Sequence, residues 1–443
     1  MAPLTILIVT FNCARELVPS EAFARHIANV IPKPQGPDIL VFSLQELAPI
    51  AYSFLGGSLL VPYYQRLHDA VCIAASTLGE VEYTNVITRN VGMTALMVFA
   101  RKERVDQLEW IEMAGVGLGL HEMGNKGAVA ARIGFSAAEG SMEITFVAAH
   151  LAPMEDGLDR RNEDWKNIVR GLAFVPLDSE ATTVRTRTSQ ATTDEDQPLL
   201  PGSTNTTNPR NGLYTPTAHL FVAGDLNYRT SSVKPIGSDY SKYPQPTKDT
   251  TDPRYYTNLL QKDQLIRELK AGRTCFGLQE APIEFPPTYK YSHKARAVAE
   301  TSDGVKWDWA NHRWPSWCDR ILYLDLPSWM KEQDPSNRVQ VQDYTALPLM
   351  STSDHRPVAL LLEIPPKPIP SPDFEAPNRD LRLHPPFALN PDWRQQRAAA
   401  RRKEIVVGLG AYFSLTWEGR GILLGILIGI LGAWAVVQSM VKN

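Results

Sequence analysis

LFVAGDLNYR, Leu220 to Arg229, is a short apolar run that ends abruptly in polar residues. Its first four residues read as a buried strand, and Asp225 and Asn227 follow at the strand end. Two residues apart on extended backbone, both side chains point to one side. A carboxylate in that place can take a proton from water, and an amide can hold the water or a phosphate oxygen. Taken alone, GDLNYR is equally a turn closed by an Asx hydrogen bond.

The same arrangement recurs along the chain. LTILIVT leads to Asn12, ILVFSL to Glu46 and ITFVAA to His150. Asp319 stands just before ILYL, and Asp354 with His355 before VALLLEI. Each run is short and rich in Val, Ile, Leu or Phe, as core strands are. Polar groups at the ends of many core strands present a cluster at the rim of a rigid sheet, which points to an enzyme. The residue types suit metal-assisted phosphate hydrolysis. Mg²⁺ takes oxygen ligands, often one or two carboxylates completed by water and phosphate, and Glu46 near Asn12 suits it. A histidine beside a carboxylate is held protonated and can neutralise a phosphate oxygen, as Asp354–His355 allows. Asp319 can accept from an imidazole across the site, or simply pair with Arg320. In GNKGAVAAR, Gly124 to Arg132, the amides and Lys126 can approach a phosphate, or the turn is a plain tight β-turn. No HExxH, Cys/His cluster, Walker loop or GxSxG is present, so zinc hydrolase, NTPase and serine hydrolase readings lack support.

The bulk properties agree with an enzyme. The 443 residues predict one large domain or two, and an apolar content of 44% is ample for a core. A net charge of −3 offers no broad basic field, so nucleic acid is not an expected partner. The four cysteines, Cys13, Cys72, Cys275 and Cys318, are widely spaced and read as free thiols in a reducing cytosol. MAPLTILIVTFN lacks a basic leader region and reads as the first core strand rather than a signal peptide.

All the strand-like runs fall in residues 1–364, the expected catalytic domain. Within it, 179–217 is dominated by Thr, Ser, Asn and Pro and is expected to be a disordered insertion. Helices are expected at Glu21–Val30, Leu67–Leu78, Arg160–Leu172 and Tyr255–Ala271, giving an α/β class with sheet layers flanked by helices. Residues 365–404, Pro-rich and then basic (Arg394, Arg397, Arg401, Arg402, Lys403), read as a linker. Cutting after Ile364 should then leave a soluble, active enzyme. GILLGILIGILGAWAVVQSMV, 421–441, carries no charge and is long enough to cross a bilayer core of ~30 Å. Its upstream flank is the basic one, which places the enzyme on the cytosolic side. Ile405–Trp417 is too short to span and is expected at the interface, or joined to the anchor after a break at Glu418-Gly419-Arg420.

Together the motifs closely resemble the inositol polyphosphate 5-phosphatase family of the exonuclease–endonuclease–phosphatase superfamily. The segments run in family order: TFN at 10–12, QE at 45–46, GNKG at 124–127, HL at 150–151 with RRNEDW at 160–165, GDLNYR at 224–229, FPPTYKY at 285–291, PSWCDRIL at 315–322 and SDHRPV at 353–358. The hydrophobic tail resembles fungal tail-anchored phosphatidylinositol 4,5-bisphosphate 5-phosphatases. The resemblance implies a four-layer αββα sandwich and Mg²⁺-dependent removal of the 5-phosphate by direct attack of water. It implies Glu46 as metal carboxylate, with Asn12 in its shell and Asp354 in the metal network. It implies Asp225 as activator of water and Asn227 as the group that orients it. By the same resemblance His355, paired with Asp319, and His150 stabilise phosphate, while Tyr289, Lys290 and Arg313 grip a neighbouring 4-phosphate, with Lys126 also toward substrate. The chain departs from the family at Ala14, at Pro153-Met154 after His150 and at Asn311, which bears on ring-phosphate preference.

A membrane tether favours a phosphoinositide lipid substrate through effective concentration, with soluble inositol polyphosphates the alternative. A nuclease or phosphodiesterase of the same superfamily would share Asp225 and His355 but have no need of Tyr289-Lys290. A catalytically dead lipid-binding adaptor would be expected to lack Asp225 or His355. The endoplasmic reticulum is the membrane expected for the tail.

Overall fold

The computed structural model describes residues 2–177, 211–302, 306–372 and 380–441. Most of the 179–217 insertion therefore lies outside the described residues. In chain order the first strands are β1 (Leu4–Asn12), β2 (Ile39–Gln45), β3 (Tyr83–Val91), β4 (Thr94–Arg101), β5 (Leu108–Gly117), β6 (Gly127–Ala137) and β7 (Gly140–His150). Then come β8 (Val175–Pro176), β9 (Ala218–Asp225), β10 (Leu278–Gln279), β11 (Asp319–Leu324), β12 (Gln340–Ala346) and β13 (Val358–Ile364).

They form two sheets, ordered β12-β13-β1-β2-β4-β3 and β10-β11-β9-β7-β6-β5-β8. Each sheet has one parallel pair near its centre, β1 with β2 and β7 with β9, and is otherwise antiparallel. Alternation along each strand explains the layers. On β1, Ile6 and Ile8 face the other sheet and meet Ile133, Ile144, Phe146 and Phe221. Their neighbours Leu7, Val9 and Phe11 face outward onto helices α1 (Ser20–Ala28) and α3 (Val61–Ser76). On the far side Val147, Leu220 and Val222 pack on Trp165, Ile168 and Val169 of α4 (Leu158–Gly171). The fold is thus the expected αββα sandwich. Central strands buried on both faces read as unbroken apolar runs, which is why they were legible.

The expected helix Tyr255–Ala271 is two helices, α5 (Tyr256–Leu260) and α6 (Gln264–Lys270). Between them Asp263 turns inward, and its Oδ1 accepts from the Ile266 amide at 2.9 Å, capping α6.

The larger difference is C-terminal. Instead of a plain linker, the stretch after Ile364 buries Ile369 and Arg382 and then forms a 23-residue docking helix, Trp393–Leu415. Ala400, Glu404 and Gly408, four apart, are the buried side of that helix. A Cβ at Gly408 would stand 3.0 Å from that of Phe54, so glycine lets the helix lie directly on α2 (Ile50–Leu55). The basic residues divide accordingly. Arg397 and Arg401 turn in to Glu404, while Arg402 and Lys403 stay exposed.

The helix breaks at Thr416 (φ −97°, ψ 153°), not at Glu418-Gly419-Arg420. The Thr416 hydroxyl accepts from the Gly419 amide at 3.0 Å, which starts the terminal helix Trp417–Val441. That helix has 25 residues, its most apolar 18-residue stretch has a mean hydropathy of 2.2 and is unburied, and it is long and apolar enough to cross a membrane.

Candidate active site

The two parallel pairs end at one rim. Asn12 stands opposite Gln45, and His150 opposite Asp225. β11 adds Asp319, also opposite Asp225. Gly224 makes the close β7–β9 approach possible, since a Cβ there would fall 1.9 Å from the Ala149 carbonyl oxygen. Sheet register alone therefore collects residues far apart in sequence.

Asp225 is the centre of the cluster, 2% exposed. Its Oδ2 accepts from Asn12 Nδ2 at 3.0 Å, a bond that ties the two sheets together, and lies 3.3 Å from His150 Nε2. Its Oδ1 accepts from the Asn227 amide at 3.1 Å. Burial alone would raise the Asp225 pKa. The His150 hydrogen bond and the charges of His355 and Lys126 outweigh it, holding the carboxyl ionised far below its usual range. His150 is fully buried, and burial with the neighbouring Lys126 ammonium lowers its pKa, so it is neutral.

Opposite stands His355, its Nε2 3.9 Å from Asp225 Oδ2 and its Nδ1 2.8 Å from Asp319 Oδ2. Burial opposes its charge, but Asp319 and Asp225 override that and raise its pKa to about 9. The rim thus carries an imidazolium beside a carboxylate at neutral pH. The same Asp319 Oδ2 accepts from Thr288 Oγ1 at 2.6 Å. Arg320 points the opposite way, to Asp263 and Glu280, so the simple Asp319–Arg320 pair does not occur.

Tyr289 packs at a tilt against His355, ring centroids 4.6 Å apart and planes 41° apart, with the Arg229 guanidinium 4.5 Å from its ring. Lys290 pairs with Asp354. Lys126 lies against His150 and 3.8 Å from Glu46 Oε1. Arg313 stands outside this chain of contacts, pairing with Glu155 at 3.4 Å. His312 connects the two groups: burial and the charges of Lys290 and Arg313 lower its pKa.

Two site residues hold left-handed backbone, Glu46 (φ +46°) and Asn227 (φ +57°). Such strain is tolerated where surrounding structure over-determines it. At Asn227 the restraint is visible. Its Nδ2 donates to the Leu151 carbonyl at 3.1 Å, and its Oδ1 accepts from Arg229. The Asn227 amide is therefore committed to protein partners here. Arg229, 2% exposed, escaped the sequence reading although it closes GDLNYR two residues after Asn227. Thr288, His312 and Ser353 escaped it too. Ser353 Oγ donates to the Asn12 carbonyl at 2.7 Å and seats the His355 loop on β1. Nothing local in sequence marks a serine for that.

For a hard cation the expected oxygen donors are Glu46 and Asn12. The Glu46 carboxylate is one-quarter exposed and faces two cations, Lys126 and Arg15, the latter at 3.2 Å. A lone carboxylate beside an amide fits Mg²⁺, which keeps most of its waters. Asp225, Asp319 and His355 also bring ligand atoms within 4.8 Å of one another. Within that trio His355 Nδ1 is already paired with Asp319 Oδ2. Asp354 has Lys290 on its carboxylate.

The family model described as Endonuclease/Exonuclease/phosphatase family 2 matches residues 9–361. A type II inositol polyphosphate 5-phosphatase of Arabidopsis thaliana is 27% identical over 348 residues, 74% of this chain and 29% of that protein. The polyphosphatidylinositol phosphatase INP53 of Saccharomyces cerevisiae is 26% identical over 331 residues, 73% of this chain and 23% of that one. The chain thus spans less than a third of the length of these curated relatives. Among solved structures, the inositol polyphosphate 5-phosphatase domain of SpSynaptojanin, in complex with inositol (1,4)-bisphosphate and calcium ion, superposes with a TM-score of 0.56. That pair is 19% identical, covering 91% of this chain and 90% of the other, and shares the fold.

Proposed function

Because the chain belongs to endonuclease/exonuclease/phosphatase family 2 and, within it, to the inositol polyphosphate 5-phosphatases, we propose that it is a phosphoinositide 5-phosphatase. The reaction is hydrolysis of the 5-phosphate of phosphatidylinositol 4,5-bisphosphate, leaving the 4-phosphate lipid. The carrying observation is the facing pair Asp225 and His355, 3.9 Å apart and each backed by its own partners. Asp225, ionised and oriented by Asn12 and His150, accepts the proton of the attacking water. His355, held by Asp319, donates to a phosphoryl oxygen. Lys126 adds positive charge beside them, and Lys290 with Arg313 suits a second ring phosphate. Phosphoryl transfer needs mainly positioning and charge neutralisation, which these groups provide.

Magnesium bound by Glu46, with Asn12 and Asp354 in its network, would add charge neutralisation at the phosphoryl oxygens. His150 faces Asp225 and Lys126, which supports a role in orienting Asp225 rather than contact with phosphate. The terminal helix supports a membrane station, with the catalytic layers on the cytosolic side of the endoplasmic reticulum.

The test is phosphate release by the full chain, in vesicles with phosphatidylinositol 4,5-bisphosphate, phosphatidylinositol 4-phosphate or added inositol 1,4,5-trisphosphate, with and without Mg²⁺. Release from the bisphosphate lipid alone, lost on chelation, is expected. Asp225→Asn should cut it by about 10²–10⁴-fold. Release of a phosphorylated headgroup instead would make the protein a phosphodiesterase.

A further inference from the structure

The docking helix reaches the site through one buried side chain. Glu404 is fully buried, and its Oε1 accepts from the Gly124 amide at 2.8 Å and from Arg397 Nη1 at 2.8 Å. Arg401 lies 3.6 Å from its other oxygen and donates to the Phe54 carbonyl, fastening the helix to α2. Lys403 reaches the His121 carbonyl at 3.5 Å. A charge this deeply buried is costly unless it is held by specific partners, and two of these are on the same helix. The third, Gly124, is not.

Gly124 opens the turn that carries Lys126. Its carbonyl accepts from the Met93 amide at 2.9 Å, and the Met93 carbonyl accepts from the Leu47 amide at 3.2 Å. Leu47 follows Glu46. A line of backbone hydrogen bonds therefore runs from Glu404 to both charged groups at this side of the site, Lys126 and Glu46. The turn has little room to move: a Cβ on Gly92 would lie 2.3 Å from the Gly124 oxygen. Two glycines let the Gly124 turn and the Val91–Met93 turn touch, and Glu404 closes them from outside.

We propose that Glu404 is a positioning residue for the site. By holding the Gly124 amide it sets the turn that keeps Lys126 on His150 and Glu46, so that activity depends on the docked helix leading to the membrane span. One non-helical residue, Thr416, separates that helix from the span. The positioning rests on the site reading above only where activity is the readout.

The experiment uses the full chain in lipid nanodiscs and reads two quantities. The first is amide exchange of the 118–127 segment. The second is kcat/KM on phosphatidylinositol 4,5-bisphosphate in a double-mutant cycle. In Glu404→Ala, exchange at Gly124–Lys126 should rise roughly ten-fold or more, from loss of a bond closing a local unit. Its kcat/KM should fall roughly ten-fold, and adding it to Lys126→Gln should cost less than about two-fold more. Glu404→Gln keeps an oxygen for the Gly124 amide and should recover most of both. Val406→Ser, on the exposed side of the same helix, should change neither. If Glu404→Ala does not fold, Gly408→Leu, which pushes the helix off Phe54 and Leu55, should reproduce its exchange signature. Unchanged exchange in a folded Glu404→Ala protein overturns the proposal, as does full additivity with Lys126→Gln. If the wild type hydrolyses no inositol phosphate, the substrate reading fails while exchange still decides the role of Glu404.

Discussion

His219 shows how one side chain sets a pH limit. It sits near the start of β9, 1% exposed, and neither ring nitrogen has a hydrogen-bond partner among the described residues. Burial, aided by the Arg382 charge, lowers its pKa from 6.5 to about 3. The unfolded chain therefore takes up a proton below pH 6.5 that the folded protein refuses until about 3. Stability from this group is present above pH 6.5 and is lost progressively as pH falls through that window. Denaturant unfolding of His219→Leu against wild type should show a stability difference that shifts in favour of the variant between pH 6.5 and 4. A pH-independent difference would remove His219 from the acid response. Asp225, six residues on, shows the opposite case, a buried charge retained because partners converge on it.

Among elements, α6 and β11 are joined by an ion network that sequence could not have assigned. Arg320 is fully buried, with Nη1 2.9 Å from Asp263 Oδ1 and Nε 2.7 Å from Glu280 Oε1. Asp263 is at the same time the cap that divides α5 from α6. Because neighbours on a strand face opposite ways, sending Arg320 to these carboxylates leaves Asp319 free to orient His355. Arg320→Leu would leave two carboxylates without their cation, a loss of about 3–5 kcal/mol. Chemical denaturation should report it, and Asp319-dependent catalysis should survive wherever the protein stays folded. A loss below about 1 kcal/mol would mean that water replaces the guanidinium freely.

Across the whole molecule, the described residues after Ile364, 365–372 and 380–415, belong to the folded unit. Ile369 packs on Leu326 and Met330, Arg382 is 3% exposed, and the docking helix covers α2. A fragment ending at Leu415 should therefore melt like the full catalytic layers. One ending at Ile364 should melt lower by about 5 °C or more and bind a hydrophobic dye, because it uncovers apolar surface. Equal melting of the two fragments would make the docking helix an ornament.

What the sequence determined by itself is the class and the site's vocabulary. Strands buried on both faces must be apolar throughout, so β1, β2, β7, β9, β11 and β13 announced themselves, and their polar ends named Asn12, Glu46, His150, Asp225, Asp319 and His355. What only the tertiary structure decided is who faces whom. Register between strands distant in sequence joined Asn12 to Asp225 and parted Asp319 from Arg320. Packing against a separate layer turned a presumed linker into the helix that carries Glu404. The half-buried β3 and β5, and β6 with its many small residues, carry weaker periodic signals, because their partners rather than their own composition bury them. Composition records how much of a segment is buried. The contacts that close a site are made across space, between segments whose separation along the chain leaves no local trace.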